Sequence, residues 1–219
     1  MQQRVLVIGL DGADENTAGK ALAAGAMPTL AGIAARGSRR PLRSTPLPIT
    51  PAAWTAAYTG MNPGKTGVLA FERPSSGYKT RIVNALDIGD NGLHARFPAA
   101  GKRLISIGFQ LTFPVSERDG CIAVAGWDAP PGSTRCNHAG WAARLADFGY
   151  SAEDELTTNE DHLRRALDAR IALTAAICNE APWDCCMLYL GFVDSLGHRL
   201  GAGNEPTQRL LAHFDAKLG

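Results

Sequence analysis

An aspartate and a histidine stand four residues apart in the segment VDSLGHRLG, as Asp194 and His198. Four residues make about one turn of helix, so the two side chains would share one helix face. A carboxylate and an imidazole are both groups that zinc accepts as ligands. An exposed helix start is equally typical of this spacing, and on spacing alone both interpretations stay open.

Asp194 also follows an apolar run, from Cys185 to Val193. A similar run rich in Val, Ile and Leu, from Arg4 to Leu10, ends at Asp11. Continuous apolar runs of this length predict strands that are buried on both faces of a parallel sheet. We therefore expect both carboxylates at the carboxyl ends of buried strands, which is the edge of an open α/β sheet where ligands bind.

Thr50 lies in the segment PLPITPAAWTAAYTGMNPGKTG, where an extended approach is predicted to turn into a helix from Pro51 to Tyr58. A hydroxyl at that point faces the positive end of the helix dipole, and the free backbone N–H groups there can hold a phosphate oxygen. The plainer interpretation is a threonine that only caps the helix.

As a nucleophile, Thr50 would need help, because an alcohol reacts poorly at neutral pH and no base lies beside it in the sequence. Zinc lowers the pKa of bound water by several units, a stabilisation on the order of 10 kcal/mol, whereas a helix dipole contributes about 1 kcal/mol. The sequence therefore favours a metal-assisted reaction over one that depends on the helix alone.

The remaining patterns predict an α/β fold in which a mostly parallel sheet is flanked by helices. Further strands are expected over Leu104–Phe109 and Cys121–Ala125, and an amphipathic helix over Asp161–Asn179. Residues 18–36 are helix-prone with breaks at Gly and Pro, and residues 61–101 predict loops with short strands.

Composition narrows the class of protein. With 219 residues and 45% hydrophobic content, the chain can bury one sizeable core, so we expect a single α/β domain over residues 1–219. A net charge of +1 without a long basic run argues against a nucleic acid polymer as partner.

The apolar start is too short for a signal peptide or a membrane span, which predicts a cytoplasmic protein without a membrane partner. Five cysteines without disulfide or zinc-ribbon spacing are expected to be reduced and buried.

Four blocks in this order, VLVIGLDGAD, MPTLAGIAARG, ITPAAWTAAYTGMNPGKTG and FVDSLGHRLG, resemble the type I phosphodiesterase and nucleotide pyrophosphatase branch of the alkaline phosphatase superfamily. The resemblance implies a metal-dependent hydrolase that acts on a small phosphate-ester substrate. It also implies two bound divalent ions, which the resemblance suggests are zinc. It further implies that Asp11 binds one ion, that Thr50 is the nucleophile and contacts the same ion, and that Asp194 and His198 bind the second ion. The reaction would pass through a phosphothreonine.

The sequence also departs from that family. Family members continue beyond this length and take further metal ligands from the later part, so we expect the chain to be the N-terminal portion, with about two protein ligands for each ion. Phe71 stands where nucleotide pyrophosphatases commonly carry an asparagine that holds a phosphate oxygen, which puts nucleotide specificity in doubt.

Two alternatives stay open: a non-catalytic α/β domain without a complete metal site and, less favoured, an isomerase or mutase of the same superfamily.

Overall fold

The computed structural model describes residues 3–133, 135–151 and 157–219. Its strands form a four-stranded sheet in the order β1-β6-β4-β5 and a separate antiparallel hairpin of β2 and β3. Their bounds are Val5–Leu10 (β1), Glu72–Pro74 (β2), Thr80–Ile82 (β3), Leu104–Ile107 (β4), Cys121–Val124 (β5) and Cys185–Leu190 (β6).

The described part of the chain also contains ten α-helices. Their bounds are Lys20–Ala23 (α1), Pro28–Arg36 (α2), Thr50–Thr59 (α3), Pro63–Thr66 (α4), Ala85–Ile88 (α5), Leu93–Ala99 (α6), Ala139–Arg144 (α7), Glu160–Glu180 (α8), Phe192–Leu200 (α9) and Glu205–Leu218 (α10). A π-helical turn covers Glu15–Gly19, and short 3₁₀ segments cover Gly89–Asn91 and Leu145–Phe148.

The central ladder of the sheet is parallel, as the apolar runs predict. Leu104 of β4 is opposite Cys121 of β5 on one side and Cys185 of β6 on the other. Every residue of β4 and β6 is buried, which explains why neither run alternates regularly between apolar and polar residues; the polar residue Ser106 of β4 is buried as well. The α/β class with a mostly parallel sheet flanked by helices is confirmed.

For β1 the predicted burial is wrong. The strand forms as expected, but Val5, Leu6 and Val7 are 49%, 55% and 38% exposed. β1 stands at one end of the strand order, and an apolar run by itself does not distinguish an edge strand from a central one.

Residues 61–101 contain more helix than the Gly- and Pro-rich composition predicts. The expected short strands are present as the β2–β3 hairpin. Around it lie the one-turn helices α4 and α5 and the longer α6. Asparagines start two of these turns: the Asn62 side chain accepts from the Lys65 N–H at 3.0 Å, and the Asn84 side chain accepts from the Leu86 N–H at 3.0 Å. Helices this short depend on such caps rather than on periodicity, so periodicity did not reveal them.

The chain divides into two compact units, which are described separately. The first contains Met1–Val7, Arg43–Arg144 and Ile177–Leu188, and the second contains Ile8–Leu42, Leu145–Ala176 and Tyr189–Gly219. The expected single domain over residues 1–219 stays a prediction.

A compact hydrophobic cluster forms part of the core of the first unit. Its buried members are Val68, Val83, Ile88 and Leu111. Phe71 packs against this cluster and lies edge-on to the Trp127 ring, with centroids 5.3 Å apart. Phe71 therefore contributes to packing.

In the second unit, helix α10 is joined to two other helices. Its Phe214 ring lies 6.5 Å from that of Phe192 in α9. Its buried Asp215 carboxylate accepts hydrogen bonds from the first free N–H groups of α2, those of Thr29 and Leu30, both at 2.8 Å. A carboxylate at a helix N-terminus satisfies unpaired donors and opposes the positive end of the helix dipole, so this contact fixes where α2 begins.

Candidate active site

Two backbone hydrogen bonds hold Asp11 where β1 ends. Its N–H donates to the Leu190 carbonyl of β6 at 3.0 Å, which extends the strand pairing by one residue. Its own carbonyl accepts from the Asp194 N–H at 3.1 Å. The ends of β1 and β6 and the start of α9 are thereby tied together, and two of the predicted metal ligands, Asp11 and Asp194, become neighbours.

Gly12 makes this close approach possible. Its φ is +74°, in the left-handed region, and a Cβ at this position would lie 2.8 Å from the Asp194 Cα and 2.9 Å from the Asp194 nitrogen. Any side chain would therefore push the turn after Asp11 away from α9. The close approach of Asp11 to Asp194 therefore requires a glycine at position 12.

Asp194 does not lie at the end of a strand, and this part of the prediction is wrong. Strand β6 ends at Leu190, and after Gly191 the chain continues as helix α9, with Asp194 in its first turn. Phe192 and Val193 are apolar because they are buried in the helix, and an apolar run alone cannot separate a buried strand from a buried helix start.

The helix does produce the predicted pairing of Asp194 with His198. The His198 Nε2 atom lies 3.3 Å from the Asp194 Oδ1 atom, and the two residues are four apart on α9. The Asp194 side chain is about one-third exposed, at 32%, whereas that of His198 is 75% exposed. This leaves the imidazole accessible to an ion or a ligand in solution.

The surroundings of Asp194 disfavour the charged form of its carboxylate. Partial burial, and secondarily the negative charge of Asp11, raise the pKa of Asp194, while His198 and Arg199 act in the opposite direction. A cavity of about 270 Å³ opens beside Asp194 and His198 and is also lined by Asp14. A cation bound there would relieve the repulsion between the two carboxylates.

Asp14 has a structural role at the start of the π-helical turn. It is exposed and precedes the π-helical turn, and its Oδ1 accepts from the N–H of Thr17 at 2.9 Å and from the Thr17 hydroxyl. The hydrogen bond from the Thr17 side chain is the main cause that lowers the pKa of Asp14.

Sequence reasoning did not identify Tyr189, which contacts the site from the sheet. This residue is buried in β6, and its hydroxyl donates to the Asp11 Oδ2 atom at 2.8 Å. The available signal was a single hydroxyl-bearing residue near the end of an otherwise apolar strand, because a buried tyrosine usually needs a polar partner.

Thr50 belongs to the first unit, whereas Asp11, Asp194 and His198 belong to the second. Helix α3 begins at Thr50 itself, so the expectation that Thr50 precedes the helix as its N-cap is wrong by one position. Ile49 is the N-cap, since its carbonyl accepts from the Ala53 N–H at 3.0 Å, and Pro51 follows in the first turn as predicted. Thr50 is half-buried, among N–H groups that the helix does not use.

The donor set fits a divalent cation in its chemistry. Carboxylates, such as those of Asp11 and Asp194, and an imidazole are ligand types that zinc binds. In residues 3–133, 135–151 and 157–219, no three side chains of His, Cys, Asp or Glu converge closely enough to enclose a metal ion. A cation beside Asp194 and His198 would therefore have these two side chains as ligands.

Residues 5–219 match the family described as type I phosphodiesterase / nucleotide pyrophosphatase. No curated protein matches the sequence. Phosphonoacetate hydrolase from Sinorhizobium meliloti 1021, solved in complex with phosphonoformate, is similar in structure, with a TM-score of 0.78 and 18% identity over 99% of this chain and 52% of that chain. Murine ectonucleotide pyrophosphatase / phosphodiesterase 5, solved as an inactive variant in complex with AMP, gives a TM-score of 0.56 and 15% identity over 99% of this chain and 50% of that chain.

At these identities, the two likenesses show the shared fold. The chain spans about half the length of these solved proteins. No helix in the described part of the chain is both long and apolar enough to cross a membrane.

Proposed function

Because this chain belongs to the type I phosphodiesterase / nucleotide pyrophosphatase family, we propose that it forms the nucleophile-bearing part of a metal-dependent phosphate-ester hydrolase. The observation that carries the proposal is the junction of β1, β6 and α9, where Asp11 and Asp194 are linked by a backbone hydrogen bond and His198 lies 3.3 Å from Asp194. This backbone link and this side-chain pair lie at the carboxyl end of β1, the edge of an α/β sheet where ligands bind, and they support the proposal.

Each residue then has a distinct role. Thr50 supplies the attacking hydroxyl, and unpaired N–H groups in the first turn of α3 orient a phosphate oxygen. Asp194 and His198 would hold one divalent ion, and Asp11 would hold the other, to which the family resemblance alone also assigns Thr50. When bound, such ions lower the pKa of the attacking alcohol and neutralise charge on the phosphoryl oxygens.

For the substrate we propose a small ester or phosphonate with a single phosphoryl group at the site. Phosphonoformate and AMP in the two solved relatives share such a group and differ elsewhere. Phe71 offers no hydrogen bond to a phosphate oxygen and packs into the hydrophobic cluster instead.

Hydrolysis of a nitrophenyl phosphodiester and monoester, with and without added zinc, tests this function. Thr50→Ala should abolish turnover, and Thr50→Ser, which restores a hydroxyl at the same place, should recover part of it. A chelator should remove the activity and zinc should restore it. Full activity in Thr50→Ala would reject the nucleophile, and activity that no chelator affects would reject the metals.

One observation favours the alternative of a non-catalytic domain. The described residues do not provide an enclosed metal site. If the chain does not bind metal, added zinc leaves its melting temperature unchanged, whereas a native state that binds zinc must be stabilised by mass action. Thermal unfolding at several zinc concentrations separates the two functions without requiring turnover.

A further inference from the structure

A tyrosine hydroxyl holds one oxygen of the Asp11 carboxylate. Tyr189 is 1% exposed, and its hydroxyl donates to Asp11 Oδ2 at 2.8 Å. The next residue, Leu190, accepts the Asp11 N–H at 3.0 Å. Consecutive residues at the end of β6 therefore fix the backbone and the side chain of Asp11 together.

Tyr189 is itself anchored from the side of helix α8. The buried guanidinium of Arg170 donates from Nη1 to the Tyr189 carbonyl at 3.1 Å. Burying a charged arginine at 1% exposure is costly unless its donors have partners. The second unit therefore contains a connected polar path, from Arg170 to the Tyr189 backbone and from the Tyr189 hydroxyl to the Asp11 carboxylate.

We propose that Tyr189 is a positioning residue, which holds the Asp11 carboxylate in the orientation that binds a divalent cation. This inference rests on the proposed function of Asp11 as a metal ligand. A hydrogen bond from the Tyr189 hydroxyl to Oδ2 restricts rotation of the Asp11 carboxylate. Hydrogen-bond partners behind metal ligands commonly change metal affinity by about 10- to 100-fold when they are removed.

A purely structural role for the same hydroxyl has a different consequence. In that case, removal of the hydroxyl would weaken folding and leave the zinc affinity of the folded chain unchanged. Tyr58 provides a matched control in the first unit. It is also buried, at 3% exposure, and its hydroxyl is 2.8 Å from the His94 Nδ1 atom.

The experiment compares Tyr189→Phe, Tyr58→Phe and Asp11→Asn by thermal unfolding over a zinc titration, with zinc ion alone as the probe. We expect both phenylalanine variants to melt below the unaltered chain without metal. In Tyr189→Phe, we expect about tenfold more zinc to be needed for the same zinc-dependent rise in melting temperature. Tyr58→Phe should need no more zinc than the unaltered chain.

Asp11→Asn shows whether Tyr189 acts through Asp11. Adding Tyr189→Phe to Asp11→Asn should cause no further loss of zinc affinity, because the carboxylate to be oriented is gone. A Tyr189→Phe variant that needs no more zinc than Tyr58→Phe would overturn the positioning role while leaving the proposed metal site intact. If zinc raises the melting temperature of neither the unaltered chain nor any variant, both the metal site and the positioning role of Tyr189 are overturned.

Discussion

At the scale of single residues, Asp128 has an environment that its sequence context hides. The segment WDAPPG predicts an exposed turn, but the carboxylate is partly buried. Oδ2 accepts from the Leu111 N–H at 3.0 Å, and Oδ1 has no hydrogen-bond partner among the described residues. Burial is the main cause that raises the pKa of Asp128 from 3.8 to about 6.

This shift predicts a pH-dependent cost to stability. Between pH 3.8 and about 6 the folded chain keeps a proton that the unfolded chain has lost, so the free energy of unfolding falls as pH rises through that window. Asp128→Asn carries no charge and avoids the cost. We expect it to be more stable than the unaltered chain by on the order of 2 kcal/mol at pH 8, with the gain lost near pH 4.

Denaturant unfolding at both pH values measures the effect. Asp119→Asn, the same chemical change at an exposed position of the first unit, should leave the free energy of unfolding nearly unchanged. A gain in Asp128→Asn that is equal at pH 4 and pH 8 would show that the ionisation of Asp128 is not its cause.

Gly12 and Gly25 differ in why a glycine is needed: Gly25 needs only the left-handed backbone, whereas Gly12 also needs the space that a side chain would fill. Both have φ near +74°, but a Cβ at Gly25 meets nothing within 4 Å, whereas one at Gly12 meets the Asp194 backbone at 2.8 Å. Gly25→Ala should therefore cost only the left-handed strain, about 1 kcal/mol. Gly12→Ala should cost clearly more in chemical denaturation, and it should also weaken zinc binding, because the turn must move away from α9. Equal costs for the two variants would contradict the close approach.

At the scale of secondary structure elements, one buried carboxylate sets the start of a helix that is distant in sequence. Asp215 of α10 accepts both free N–H groups from α2 and is 1% exposed. Asp215→Ala would leave those donors buried without partners, so we expect a loss of about 2–4 kcal/mol in the free energy of unfolding. Glu205→Ala, at a 91% exposed side chain of the same helix, should change it by less than about 0.5 kcal/mol. Similar small losses in both would mean that Asp215 does not cap α2.

At the scale of the whole molecule, the exposed apolar stretch of β1 predicts self-association of the chain as given. Val5, Leu6 and Val7 are on an edge strand, where unpaired backbone groups and apolar side chains invite pairing with another chain. We expect Leu6→Lys to reduce concentration-dependent association, measured by sedimentation velocity, with little change in melting temperature.

The control for this prediction replaces a leucine that is even more exposed and does not lie on a strand edge. Leu86 is 77% exposed in helix α5, and Leu86→Lys adds the same positive charge. If both variants reduce association equally, the added charge is responsible and the β1 edge is not.

The sequence by itself determined the fold class, the family and the identities of the chemically capable residues. Apolar runs located β4, β5 and β6, because strands buried on both faces leave a continuous pattern that depends on no distant partner. The spacing of four between Asp194 and His198 likewise predicted their pairing, because helix geometry is local. The roles of Thr50, Asp11, Asp194 and His198 in the reaction stay predictions.

Tertiary structure decided the features that depend on which residues meet. The burial of Asp128 and the hydrogen bond from Tyr189 to Asp11 depend on contacts between separate segments, and the exposure of β1 follows from its place at one end of the strand order. Tyr189 and Asp11 are separated by 178 positions, so no local periodicity or spacing could link them. Burial and long-range hydrogen bonding are properties of the folded chain, so local sequence patterns could not predict which of these residues lie together.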